Sequence, residues 1–227
     1  MSAGEIVLLA KADRFSTDSA ELARRVFGSR LTLHQGRVGD PFPLRPAMAP
    51  IAGLLSFLSP WIVPAWVLEK SEVAVNFHPA SREYPGIGCY NFAIYEGAAS
   101  FGAVCHHMEP AVDTGQLIAE TRFAMAPDER VETLKLRTMV ALAALFAEIV
   151  DLIAAGKPLP KLGKPWSRKP FTRKQLNELC IVEPEMDEGE RRRRIRAVSY
   201  PGYPGAVERR PDGTLAPLDT PPGEPIA

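Results

Sequence analysis

The sequence predicts an α/β fold in which helices cover the faces of a sheet, and three observations lead there. Short apolar runs of strand length alternate along the chain with stretches of helical period. The longest such stretch, residues 127–155, places Val131, Leu134, Leu142, Leu145, Ile149 and Ile153 on one stripe. One strand-like run ends in polar side chains and opens into a loop rich in proline and glycine, which is where open α/β sheets keep their ligands. The chain has 227 residues, 46% of them hydrophobic, enough for one substantial core and an appendage. We divide it into a domain over residues 1–160 and an extension over residues 161–227.

Residues 5–10 read as a buried strand, and residues 18–27 as a helix that Ser16, Thr17 or Asp18 can cap. Residues 30–34 follow as a second strand, with a Gly/Pro-rich connection through Pro46. Residues 47–68 are uncharged and long enough to raise a membrane span, but Pro50, Pro60 and Pro64 break the helix that a span requires. We read residues 53–58 as a buried strand, 59–64 as a loop, 65–70 as a short helix and 72–78 as the next strand. Residues 91–95 suit a short helix, and 102–108 and 117–125 two more strands. The long helix over 127–155 has Pro127 near its first turn and stops at Gly156, Lys157 and Pro158.

Chemistry concentrates in Val75-Asn76-Phe77-His78-Pro79 and, further on, in Asp113, Thr114 and Gly115. The period of two in a strand points Asn76 and His78 to the same face, and Pro79 ends the strand. An amide N–H can donate to an oxyanion, an imidazole can move a proton near neutral pH, and a carboxylate can orient the imidazole and stabilise its cation. Together they suit acyl transfer, with the substrate's own amine as nucleophile. Taken alone, the same residues also fit a plainer reading, in which Asn76 and His78 cap a strand and Asp113 starts a turn.

The order and spacing of Asn76, His78, Pro79, Tyr84, Pro85, Gly86, Gly88 and Tyr90 through Gly97, then of Gly102 through Met108, then of Asp113 through Ile118, resemble the folate-dependent formyltransferases. The likeness covers about residues 50–160. It implies a Rossmann-like formyltransferase domain over 1–160 with a short C-terminal helix and hairpin extension, and 10-formyltetrahydrofolate as cosubstrate without a metal. It also implies Asn76, His78 and Asp113 as the catalytic set. Phe57, Leu58, Ser59, Trp61 and Ile62, which by composition are core and turn, become the segment whose backbone meets the pterin edge, with Asp113 beside it. Tyr84, Tyr90 and Asn91, each plausible as ordinary packing, become the border of the amine substrate, and His106 a lining residue.

Two departures narrow the acceptor. Where many relatives carry a glycine-rich turn that cradles phosphate, this chain has Ala10, Lys11, Ala12, Asp13 and Arg14, and its first strand lies close to Asn76, so one β–α unit is expected to be missing or reduced. That weighs against a glycinamide-ribonucleotide enzyme. Only 67 residues follow Pro160, too few for the β-barrel domain of methionyl-tRNA enzymes. Leu176 through Leu179 and Arg192 through Val207, with Tyr200, Pro201, Gly202, Tyr203, Pro204 and Gly205, are instead similar to the C-terminal extension of amino-sugar N-formyltransferases. The resemblance therefore implies a nucleotide-linked amino sugar as acceptor and a homodimer.

Charge adds little. Twenty-seven basic and 27 acidic residues balance, so no whole-chain footprint for nucleic acid exists. Six basic and no acidic residues between Lys161 and Lys174, and the run Arg191 to Arg194, read either as solvated surface or as holders of a nucleotide diphosphate. Cys89, Cys105 and Cys180 form no CxxC pair and suit reduced thiols, and residues 1–12 lack a secretory pattern, which together place the protein in the cytoplasm. His106 and His107 are adjacent on a strand and face opposite ways, which argues against metal; His34 reads as a surface or strand-edge residue, and residues 221–227 as a frayed end. Formylation of another small amine, hydrolysis of formyltetrahydrofolate and a non-catalytic folate-binding role stand as alternatives.

Overall fold

A computed structural model of the chain describes residues 4–218; the end expected to fray at 221–227 lies outside them. A six-stranded sheet with order β2-β1-β3-β4-β5-β6 organises the molecule. Its first four strands are β1 (Ile6–Lys11), β2 (Leu31–Gly36), β3 (Ile51–Phe57) and β4 (Ser71–His78), all parallel. The other two are β5 (Ser100–His107) and β6 (Leu117–Ala124), which pair antiparallel. β1 and β3 are buried over most of their length, which is why they read as unbroken apolar runs.

Period two sorts the sheet's side chains. Ile6, Leu8 and Ala10 pack with Val75 and Phe77 beneath two helices, α1 (Arg14–Phe27) and α4 (Val131–Ala154). Val7 and Leu9 face the other way, under Phe42, Leu44 and Met48 of the connection 37–50 and under α2 (Ala65–Glu69). That connection carries no helix, so an irregular apolar segment covers the face that a crossover helix occupies in a regular β–α unit.

Element ends shift from the sequence reading for local reasons. The cap of α1 is Asp13, not Ser16, Thr17 or Asp18: its carboxylate accepts from the Ser16 amide at 2.9 Å, so the helix starts a turn early. α4 starts at Val131 behind Arg130, and Pro127 lies outside it with its carbonyl accepting from Arg196. β3 stops at Phe57 because Leu58 turns to a φ of 52°. α3 (Cys89–Tyr95) begins two residues before the expected start at residue 91, directly after Gly88, which holds a φ of 78°.

The extension leads through α5 (Arg173–Leu179), β7 (Ile181–Val182), α6 (Glu188–Val198), β8 (Val207–Arg209) and β9 (Leu215–Pro217), the last two a hairpin. It has its own three-stranded sheet, β7-β8-β9. Leu179, Val182, Ala197, Val198 and Ala206 nevertheless share one buried cluster with Phe92, Ile94, Phe101 and Leu134, so the core is continuous across residue 160. No helix among the described residues is long and apolar enough to cross a membrane.

Candidate active site

A cavity of about 690 Å³ opens at the C-terminal ends of β1, β3 and β4, where the chain order reverses around β1. Ligand sites in enzymes have this size. Its wall contains Asn76, His78, His106 and Asp113, residues from three separate segments of the chain.

Sheet register supplies the first contact. β4 and β5 pair antiparallel with Asn76 opposite His106, and the Asn76 amide Nδ2 lies 3.1 Å from His106 Nε2. Asp113 then reaches both imidazoles: Oδ1 is 3.3 Å from His106 Nε2 and Oδ2 is 3.3 Å from His78 Nδ1. The Gly86 amide donates to Oδ2 at 2.8 Å. Asp113 sits at a φ of 51°, and Gly115 follows where a Cβ would collide with the His107 carbonyl; the Asp-Thr-Gly turn therefore needs its glycine to press the carboxylate against β5.

Partner atoms fix the protons. His106 Nδ1 is 2.7 Å from the His107 carbonyl and His78 Nε2 is 3.0 Å from the Tyr84 carbonyl, so each of these nitrogens carries hydrogen. The opposite nitrogen of each ring faces the carboxylate. Burial by itself raises an acid such as Asp113, but His78, His106 and the Gly86 amide outweigh it and hold the carboxyl well below the ordinary range. One ionised carboxylate is thus clasped between two imidazoles, and the Asn76 amide keeps a second hydrogen for a ligand.

The remaining expected residues divide. Leu58, Ser59, Trp61, Ile62 and Tyr90 line the cavity. Trp61 donates from Nε1 to the Asp40 carbonyl at 3.0 Å and so ties its loop to the connection 37–50. Phe57 does not line it: the ring is 1% exposed and packs between Phe77 and Phe146, because the strand's alternation turns it to the helix face. Tyr84 stacks on Phe171 and contributes only its carbonyl, to His78. Asn91 donates to the Ala197 carbonyl at 2.7 Å and anchors α6 instead of a substrate.

Neither basic run reaches the cavity. Arg168 pairs with Glu96 through both guanidinium nitrogens, and Arg191, Arg192, Arg193 and Arg194 each pair with a glutamate. The cations that line the cavity are Lys11, Arg14 and Lys135, which sequence reading did not single out as ligand groups. Lys11 and Arg14 stand where a glycine-rich turn was looked for, a substitution visible in the sequence; Lys135 carries no local signal. His34 lies half-buried on the edge strand β2, its imidazole lowered by burial and only partly restored by Glu5. No group of acidic, histidine and cysteine side chains among the described residues has the arrangement of a metal site.

Residues 44–150 match the sequence profile of the formyl transferase domain. The match is a similarity over 107 of the 227 residues. The matched segment contains every residue of the Asn76–His106–Asp113–His78 network. A methionyl-tRNA formyltransferase from Verminephrobacter eiseniae is 27% identical over 147 residues, covering 64% of this chain. The chain spans 44% of that relative's length. A sugar N-formyltransferase from a Shewanella species shares the fold with a TM-score of 0.76 at 14% identity, over 94% of this chain and 96% of that one. An N-formyltransferase from Helicobacter canadensis, solved with folinic acid and dTDP-3-aminofucose, matches with a TM-score of 0.69 at 16% identity, over 86% of this chain and 80% of that one.

Proposed function

We propose that the protein transfers a formyl group from 10-formyltetrahydrofolate to the primary amine of a nucleotide-linked amino sugar. The observation that carries this reading is the buried Asn76–His106–Asp113–His78 network in the wall of a ligand-sized cavity at the strand ends. The donor fits the cavity's chemistry: Ile62 and Val112, 75% and 52% exposed, offer apolar walls at its rim, and residues 58–62 run along it with backbone groups able to meet a polar ring edge. When bound, the folate supplies the formyl carbon that the amine attacks.

The chain's own residues then have distinct tasks. The free hydrogen of Asn76 Nδ2 donates to the formyl oxygen as it takes up negative charge. His78 holds positive charge nearby while its Nδ1 stays on Asp113. Asp113 accepts a hydrogen bond from His78 through Oδ2, and through Oδ1 it takes the proton that the amine gives up and passes it toward the departing folate nitrogen, so the proton count of the exchange balances. The apolar back of the site, with Phe77 beneath Asn76 and His78, excludes water that would take the formyl group in place of the amine.

The sugar acceptor is supported by layout: the Shewanella sugar enzyme matches with a TM-score of 0.76, whereas a methionyl-tRNA formyltransferase from Clostridium thermocellum, covered just as fully, matches with 0.61. Lys11, Arg14 and Lys135 provide cations for the phosphates of such an acceptor. The test is mass spectrometry of the protein with 10-formyltetrahydrofolate and a panel of nucleotide-linked 3-amino and 4-amino sugars. A formyl mass gain on one sugar is expected. Tetrahydrofolate release without any acceptor makes it a hydrolase, and inertness throughout sinks the reading.

A further inference from the structure

The basic segment from Lys161 to Lys174, which the sequence offered as solvated surface or a phosphate grip, runs along the rear of the site through its residues 165–171. We propose that Trp166 in this segment is a positioning residue for the two imidazoles and Asp113, an inference that rests on their being the reacting groups. Trp166 does not line the cavity. Its ring lies on the far side of the histidines, edge-on to both: centroids are 5.2 Å from His106 and 5.8 Å from His78, at 77° and 75°. Its Nε1 donates to the Gly115 carbonyl at 2.9 Å, two residues beyond Asp113 in the same turn.

The rest of the segment is fastened to the other anchors of the network. The carbonyl of Pro165 accepts from Arg82 at 3.2 Å, and the Ser167 amide donates to the Arg82 carbonyl at 3.2 Å. The Phe171 amide donates to Pro85 at 2.9 Å and its carbonyl accepts from Ile87 at 3.0 Å, bracketing Gly86, whose own amide holds Asp113. Gly86 has a φ of 86°, and a Cβ there would strike the Phe171 backbone. The Arg168 guanidinium sits over Tyr84 and Phe171, and Tyr84 supplies the carbonyl that holds His78. One strap therefore secures the Tyr84 carbonyl, the Gly86 amide and the Gly115 carbonyl, and Trp166 closes the back of the rings they orient. A shielded pair of imidazoles interacts with the carboxylate through less water, which strengthens the contact and keeps its geometry.

The test uses the whole protein with Trp166→Ala and Trp166→Phe. Proton NMR of the wild type should show low-field imidazole N–H signals from His78 and His106, assigned with His78→Gln and His106→Gln, because sealed N–H groups exchange slowly with water. Trp166→Ala should lose these signals, and its kcat should fall about 10²-fold with KM little changed, the scale of a slightly misplaced reacting group. Trp166→Phe should keep the signals and lose less kcat. If the wild type shows no such signals, or if Trp166→Ala keeps both signals and kcat, the proposal fails. Should Trp166→Ala not fold by circular dichroism, Trp166→Phe decides alone: an unchanged kcat overturns the positioning role. A wild type that formylates nothing overturns the functional reading, while the N–H signals still judge the seal.

Discussion

Replacing Asp113 with Asn isolates the charge at the centre of the network. Asn has the same shape and tolerates the φ of 51° that Asp113 adopts, so backbone strain is not introduced. A carboxylate and an imidazolium 3.3 Å apart, the separation of Asp113 from His78, attract by about 5 kcal/mol at an effective dielectric near 20 before desolvation is counted. Removing one member of a buried pair costs about 3–5 kcal/mol net. We therefore expect a loss of about 3 kcal/mol at pH 7, or a urea midpoint about 1 M lower at a slope of about 3 kcal/mol/M.

The pH dependence has a definite sign. The folded Asp113 carboxyl titrates lower than the unfolded one, so its stabilisation is fully present above the unfolded value of about 4 and is lost as pH falls below it. Wild type and Asp113→Asn should thus differ most at neutral pH, and their urea midpoints should converge as pH drops below about 4. Equal midpoints at pH 7 would refute the account of Asp113 as the ionised centre of the network.

Two further outcomes follow from the same geometry. Asn76→Ala removes the contact to His106 and the amide hydrogen that we propose for the formyl oxygen, so kcat should fall about 10²–10³-fold while circular dichroism and thermal midpoint stay close to wild type; retained turnover would exclude the oxyanion role. Gly115→Ala forces a methyl group into the His107 carbonyl and should lower stability by several kcal/mol, on the order of the largest single-residue effects; a urea midpoint within error of wild type would show that the turn can move away from β5.

Much of the site was legible in local pattern. Alternation along β4 places Asn76 and His78 on one face whatever the tertiary context, and the apolar period of α4 marks the helix that covers the opposite face. The loop after Leu58 and the Asp-Thr-Gly turn were likewise visible as spacing. Periodicity does not say which face meets which neighbour, however. Phe57 alternates as correctly as Ser56, yet its face is the core between Phe77 and Phe146. Asn91 follows the loop after β4, in α3, and its amide is claimed by Ala197, 106 residues away.

The sequence by itself determined the α/β class, the strand that carries the amide and the imidazole, and the chemistry those residue types can perform, because backbone period and side-chain type are local properties. Tertiary structure alone decided that a single carboxylate serves two histidines, that Lys11, Arg14 and Lys135 are the cations of the cavity, and that a basic segment becomes the rear wall behind His78 and His106. Those facts depend on contacts between residues distant in the chain, and such contacts are fixed by how the sheet, its loops and the extension pack together, not by any pattern that a short window of sequence can hold.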